Sequence, residues 1–136
     1  MKNIFEKIVD GEIPSNKVLE NDEFFAFHDI NPKAPIHILI IPKKCYKNFQ
    51  ETDPKIMVKM TEFIQEVAKK MGVDKTGYRL INNCGENGGQ EVMHLHFHLL
   101  AGAKLAWDNS AGFNAKDEFW FYLLIKMKIS DYLIFW

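Results

Sequence analysis

Residues 94–98 read His94-Leu95-His96-Phe97-His98 and run on into Leu99 and Leu100. Strict alternation of imidazoles with large apolar side chains is the pattern of a β-strand, whose successive side chains point to opposite faces. On such a strand His94, His96 and His98 share one face at intervals of about 6.6 Å, and Leu95, Phe97 and Leu99 share the other. The apolar side requires a core to lie on. The other side presents three groups whose unperturbed pKa lets them act as nucleophile, acid or base near neutrality. A solvated strand face that is merely histidine-rich is the plain alternative. Three of the chain's five histidines within five positions argue against it.

Upstream, Asn82-Asn83-Cys84-Gly85-Glu86-Asn87-Gly88-Gly89-Gln90 forms a loop with three glycines and little bulk. Glycine permits positive φ and lets backbone N–H groups approach a ligand closely. Alone, the Gly88-Gly89 pair marks only a tight turn. Joined to three imidazoles, the loop predicts a site wrapped around an anion such as a phosphate.

The remaining pattern predicts one α+β domain, an antiparallel sheet with one long helix packed on it. A short helix is expected over residues 3–10, with Asn3 as its cap and Gly11 after its end. Strands are expected over residues 18–20, 24–28, 36–41, 78–82 and 92–100. The long helix is expected over residues 54–71, capped by Asp53, with Pro54 in its first position and Gly72 beyond its end. Ile56, Met60, Phe63, Ile64, Val67 and Met71 recur at spacings of three and four, a buried stripe that packs the core and carries no chemistry. With 17 Lys and Arg against 18 Asp and Glu and no basic block, the chain shows no nucleic-acid-binding face. Cys45 and Cys84 form no framework or metal spacing, and no signal-like apolar stretch opens the chain, so a reduced, cytoplasmic setting is expected. Residues 119–136 are rich in aromatics but interrupted by Lys126, Lys128 and Asp131, too broken for a membrane span.

Four segments together resemble one family. Gln90-Glu91-Val92-Met93-His94-Leu95-His96-Phe97-His98-Leu99-Leu100 resembles the histidine triad (HIT) signature, His-x-His-x-His followed by two apolar residues. Residues 4–14, Ile4-Phe5-Glu6 through Ile13-Pro14, resemble the opening of the Hint branch. Residues 27–44 resemble its central segment, and residues 77–83 the strand before the loop. The resemblance runs in order to about residue 107. It divides the chain into a HIT-like domain, residues 1–107, and an extension, residues 108–136, that is either a docking element or the product of a shifted reading frame.

The chemistry this implies is covalent. A neutral imidazole keeps one free lone pair if its other nitrogen donates to something fixed, and that lone pair can attack phosphorus. The resemblance implies His96 as the nucleophile, His94 and His98 as orienting or proton-donating partners, and His37 as the fourth active-site histidine. It further implies that Asn83 contacts the phosphate or leaving group and that Asp29 binds the ribose hydroxyls. Ile4, Phe5, Phe27, His28 and Ile30 would form the base pocket. Gly89, Gln90 and Glu91 complete the nucleotide-binding set. Glu91 stands where several relatives carry Ser, so an anionic side chain there would have to point away from phosphate, leaving its backbone N–H. Each assignment has a structural alternative: His37 as an ordinary strand residue, Asp29 as the cap of the turn before Asn31-Pro32, Phe27 as core.

The implied activity is hydrolysis of the P–N bond of purine nucleoside 5′-phosphoramidates, by a homodimer without a cofactor. A dinucleoside polyphosphate hydrolase or nucleotidyl transferase of the same family, and a non-catalytic nucleotide-binding module, are the alternatives. A zinc site built on His94-x-His96, with His98 or His37 as a third ligand, is a further one. It would leave no nucleophile, so no metal is expected.

Overall fold

The computed structural model describes residues 1–107. Met1–Leu105 form one unit. The extension from residue 108, with everything expected of residues 119–136, lies outside the described residues.

The chain opens with a short helix, α1 (Ile4–Val9). Asn3 Oδ1 accepts the Glu6 N–H at 2.9 Å, and Glu6 Oε1 accepts the Asn3 N–H at 3.1 Å. This reciprocal pair satisfies two N–H groups that a helix start otherwise leaves orphaned. Strands β1 (Lys17–Glu20) and β2 (Phe24–His28) form a hairpin around Asn21, whose side-chain oxygen accepts from the Glu23 and Phe24 N–H groups. Then come β3 (Ile36–Pro42), α2 (Ile56–Lys70), β4 (Arg79–Ile81) and β5 (Phe97–Ala101). The sheet order is β1-β2-β3-β5-β4, every pair antiparallel. The expected α+β architecture is the one observed.

Both faces of the central strands are covered. Phe24 and Ala26 of β2, Ile38 and Ile40 of β3, and Phe97 and Leu99 of β5 meet Met60, Phe63, Ile64 and Val67 of α2. The alternate residues, Phe25, Phe27, Leu39 and Ile41, meet Phe5 and Ile8 of α1. Two-sided burial is why β2 and β3 read as continuous apolar runs rather than as alternating ones.

The structure corrects the expected strand over residues 92–100. Only Phe97–Ala101 is strand, so His94 and His96 lie in the loop leading into it. The backbone there bonds elsewhere: the Leu95 N–H donates to Tyr46 O at 2.6 Å, and the Asn82 side chain donates to His96 O at 3.0 Å. The alternation of faces nonetheless persists, because Leu95 and Leu99 are fully buried in the α2 core. The long helix begins at Ile56 rather than at Pro54. Asp53 Oδ1 accepts the Lys55 N–H at 3.0 Å, capping a turn that precedes α2, and Lys55 at the helix cap makes no side-chain bond. Pro42 closes β3 as a paired residue opposite Phe24.

Candidate active site

The site is assembled where β3 and β5 run side by side. Leu39 lies opposite His98 and His37 opposite Leu100, so His37 and His98 are diagonal neighbours on one face. Their rings meet with His37 Nε2 2.8 Å from His98 Nδ1. Proton positions follow from the fixed partners. The Lys33 N–H donates to His37 Nδ1 at 3.0 Å, so a neutral His37 carries its proton on Nε2. That proton is directed at His98 Nδ1, which leaves the Nε2–H of His98 as its remaining donor. Asp29 Oδ2 lies 3.4 Å from the same His37 Nε2.

His96 is set by a shorter link. Its Nδ1 lies 2.7 Å from the His94 carbonyl, which can only accept. The proton therefore sits on Nδ1 and the free lone pair on Nε2, the form a nucleophile needs. The Phe5 ring stands edge-on to the His96 ring, centroids 5.0 Å apart, and the His98 ring lies 5.2 Å from it.

His94 is different in kind. It is fully buried; its Nε2 donates to Pro42 O at 2.7 Å and its Nδ1 accepts from Asn3 Nδ2 at 3.0 Å. Both nitrogens are committed, so His94 orients its neighbour and is not placed to exchange protons with a substrate. Burial pushes the pKa of His94 down, and that of His37 likewise, against an opposing pull from Asp29. Burial, with His96 and His37 close by, lowers the pKa of His98 to about 4. At pH 7 these three rings are neutral, and His98 offers a hydrogen bond rather than a charge.

Asp29 fits the turn-cap reading and also reaches His37. Its Oδ1 accepts the Asn31 N–H at 2.8 Å, capping the turn, while Oδ2 faces His37. Phe5 and Phe27 are buried in one core with centroids 5.9 Å apart, His28 is half-buried, and Ile4 and Ile30 are exposed. Asn83 is half-buried and Glu91 exposed. The glycine loop departs from the anion cradle expected of it at three positions. The Gly85 N–H is taken by Gln90 Oε1, the Gly89 N–H by Glu86 O and the Gln90 N–H by Gly85 O. Gln90 also donates to Lys47 O and Val92 O, so its side chain clamps the loop shut. Gly88 serves the same turn: a Cβ there would stand 2.5 Å from Cys84 O.

Sequence reasoning missed the supports: Asn3 on His94, Asn82 on His96, Pro42 O and the Lys33 N–H. All but the Lys33 N–H, four residues from His37, come from segments farther along the chain, and only the cap pattern Asn3-x-x-Glu6 carried a signal. Among the described residues, two sets of donor atoms lie within 4.8 Å of one another and are of a kind that holds metal ions, Asp29–His37–His98 and Glu6–Cys45–His94. Neither contains His96, so the expected alternative of a His94-x-His96 zinc pair is not formed.

The HIT domain model matches residues 10–105. The chain belongs to the HIT family. An uncharacterized HIT-like protein of Helicobacter pylori is 55% identical over 102 residues, covering 75% of this chain and 98% of that one. The solved structure of a HIT family hydrolase from Legionella pneumophila superposes with a TM-score of 0.74 at 38% identity, covering 78% of this chain and 97% of the other. That of a histidine triad nucleotide-binding protein from Candida albicans gives 0.68 at 28% identity, covering 94% and 97%. Among the described residues of this HIT chain, no helix is long and apolar enough to cross a membrane.

Proposed function

We propose that this HIT protein hydrolyses the P–N bond of purine nucleoside 5′-phosphoramidates. The observation that carries the reading is the His94 carbonyl on His96 Nδ1, which leaves the ring's lone pair on Nε2. In the first step Nε2 attacks phosphorus and forms a P–Nε2 bond. The P–N bond to the leaving group breaks, and its electron pair departs on the amine nitrogen, which takes up a proton from solvent, balanced by the one that the attacking water gives up in the second step. The positive charge that develops on the His96 ring is stabilised through Nδ1–H on the carbonyl. The Nε2–H of His98 donates to the phosphoryl oxygens. Water then attacks phosphorus, the P–Nε2 bond breaks, and the nucleoside monophosphate leaves with His96 restored.

In this reading Asp29 holds the ribose hydroxyls and Asn83 the phosphate or leaving group. Ile4, Phe5, Phe27, His28 and Ile30 receive the purine, and the residue 89–91 segment contributes through the Glu91 backbone N–H. The names of the Legionella and Candida proteins, a hydrolase and a nucleotide-binding protein, support the class of activity. Incubation with adenosine 5′-phosphoramidate in EDTA, followed for AMP, tests it. Stoichiometric release of AMP and ammonia is expected, and an untouched substrate overturns the reading.

The protein is proposed to act as a homodimer in the cytoplasm, with α2 and β4 at the interface. Val58 on α2 and Leu80 on β4 are both exposed apolar residues, and light scattering is expected to return twice the chain mass.

A further inference from the structure

The catalytic residues of the proposed function all lie near β3 and β5, yet the hydrogen bonds behind His96 lead back to the first residues of the chain. The Asn3 side chain has two ends with different duties. Its oxygen caps α1 on the Glu6 N–H. Its amide nitrogen donates to His94 Nδ1 at 3.0 Å and to Cys45 Sγ at 3.5 Å. His94 has its Nε2 proton on Pro42 O, so its Nδ1 holds a buried lone pair that needs a donor. Among the described residues Asn3 supplies it. His94 in turn presents the carbonyl that holds His96 Nδ1–H. Phe5, two positions along, stands edge-on against both rings, with centroids 5.7 Å from His94 and 5.0 Å from His96.

We propose that Asn3 is a positioning residue for the nucleophile: its amide locks His94, and through the His94 carbonyl it holds His96 with Nε2 free. The inference rests on the proposed function for its kinetic consequence. Its structural content does not. If Asn3 were only a cap, any good capping residue would serve; if it positions His94, the donor is what counts. Asp caps a helix about as well as Asn but has no N–H to give.

Asn3→Asp separates the two roles. The variant is expected to keep α1, with a melting temperature lowered less than that of Asn3→Ala. Its kcat on adenosine 5′-phosphoramidate is expected to fall about tenfold, the scale of one lost buried hydrogen bond, with KM unchanged because Asn3 acts on the reaction through His94 and is not one of the residues assigned to the nucleotide. Asn3→Ala removes cap and donor together, so it should lose stability as well as kcat. Nitrogen-15 spectra of the histidine rings give a readout that needs no substrate. The wild-type protein should show His94 Nδ1 unprotonated and hydrogen-bonded. In Asn3→Asp that hydrogen bond to His94 Nδ1 should be lost, and the His96 ring signals should shift with it. A wild-type spectrum with the proton on His94 Nδ1, or an Asn3→Asp protein with wild-type kcat, overturns the proposal. A wild-type protein that leaves the phosphoramidate intact overturns the proposed function instead. The ring spectra would then still judge the chain from Asn3 to His96.

Discussion

Under α2 the sheet buries hydrocarbon and aromatic rings alone: Phe24 against Phe63, with Ile38, Ile40, Leu99 and Val67 around them. Under α1 the same strands bury Phe5, Phe27, Leu39 and Ile41, and beside them His37, His94 and His96. The first face gains from removing apolar surface from water, which is non-directional and forgiving of shape. The second has to hold imidazoles in chosen tautomers, so it spends polar groups on fixed partners and tolerates little displacement. No buried side-chain nitrogen or oxygen among the described residues lacks a hydrogen bond. The two faces of one sheet therefore divide stability from positioning.

The sharpest way to break that division is His96→Ala. Turnover should fall by several orders of magnitude while the protein stays folded, because a whole reaction path is removed; kcat and circular dichroism measured together check both halves. Phe63→Ala, in the opposite face, should cost about 3–5 kcal/mol of stability by urea denaturation, with kcat per folded molecule unchanged. If Phe63→Ala lowered kcat without lowering stability, the division would be wrong. A smaller effect is expected at the ribose. Replacing AMP by its 2′,3′-dideoxy analogue should weaken binding by about 1–3 kcal/mol in calorimetry with EDTA present, since Asp29 would lose hydroxyl partners. Equal affinities would remove Asp29 from the site.

The gentlest effect is graded with pH. His37, His94 and His98 have folded pKa values below their ordinary 6.5, chiefly through burial. Below pH 6.5 the unfolded chain binds protons that the folded chain refuses, so stability must fall as pH drops. It should be flat above about pH 6.5 and decline towards the pH 4 region where His98 itself titrates in the folded state. Melting temperatures between pH 8 and pH 4 would show this. His98→Asn should shallow the decline, and Phe63→Ala should shift the whole curve without changing its shape.

What the sequence disclosed follows the same line between the faces. The stripe Met60, Phe63, Ile64, Val67 and strand β2 were legible because apolar periodicity is a local signal. The α1 cap was legible because Asn3 and Glu6 lie three residues apart. The strand over residues 92–96 was misjudged because alternation reports faces and not hydrogen bonds, and Tyr46 O and Asn82, which take those bonds, lie outside any local window. The start of α2 was misplaced by two residues because Asp53 suits a turn as well as a helix cap. His96 and His98 stand out by pattern, and His37, which meets His98 across the sheet, only through the resemblance. That His94 is a scaffold was not legible, because its partners Pro42 and Asn3 lie 52 and 91 residues away in the chain.

The strand order β1-β2-β3-β5-β4 has a consequence for the chain as it is made. Among the described residues, the fifth strand, Phe97–Ala101, is the last to be synthesised, yet it sits between two earlier ones. Until it emerges, β4 has no neighbour and the inner edge of β3, Ile36–Pro42, carries unpaired backbone on an almost wholly apolar strand. Such an edge invites pairing with other chains. A nascent or truncated polypeptide that stops short of residue 97 is thus not a weakened version of this protein. It is a sticky intermediate, and the residues that complete the candidate site are the same ones that end its exposure.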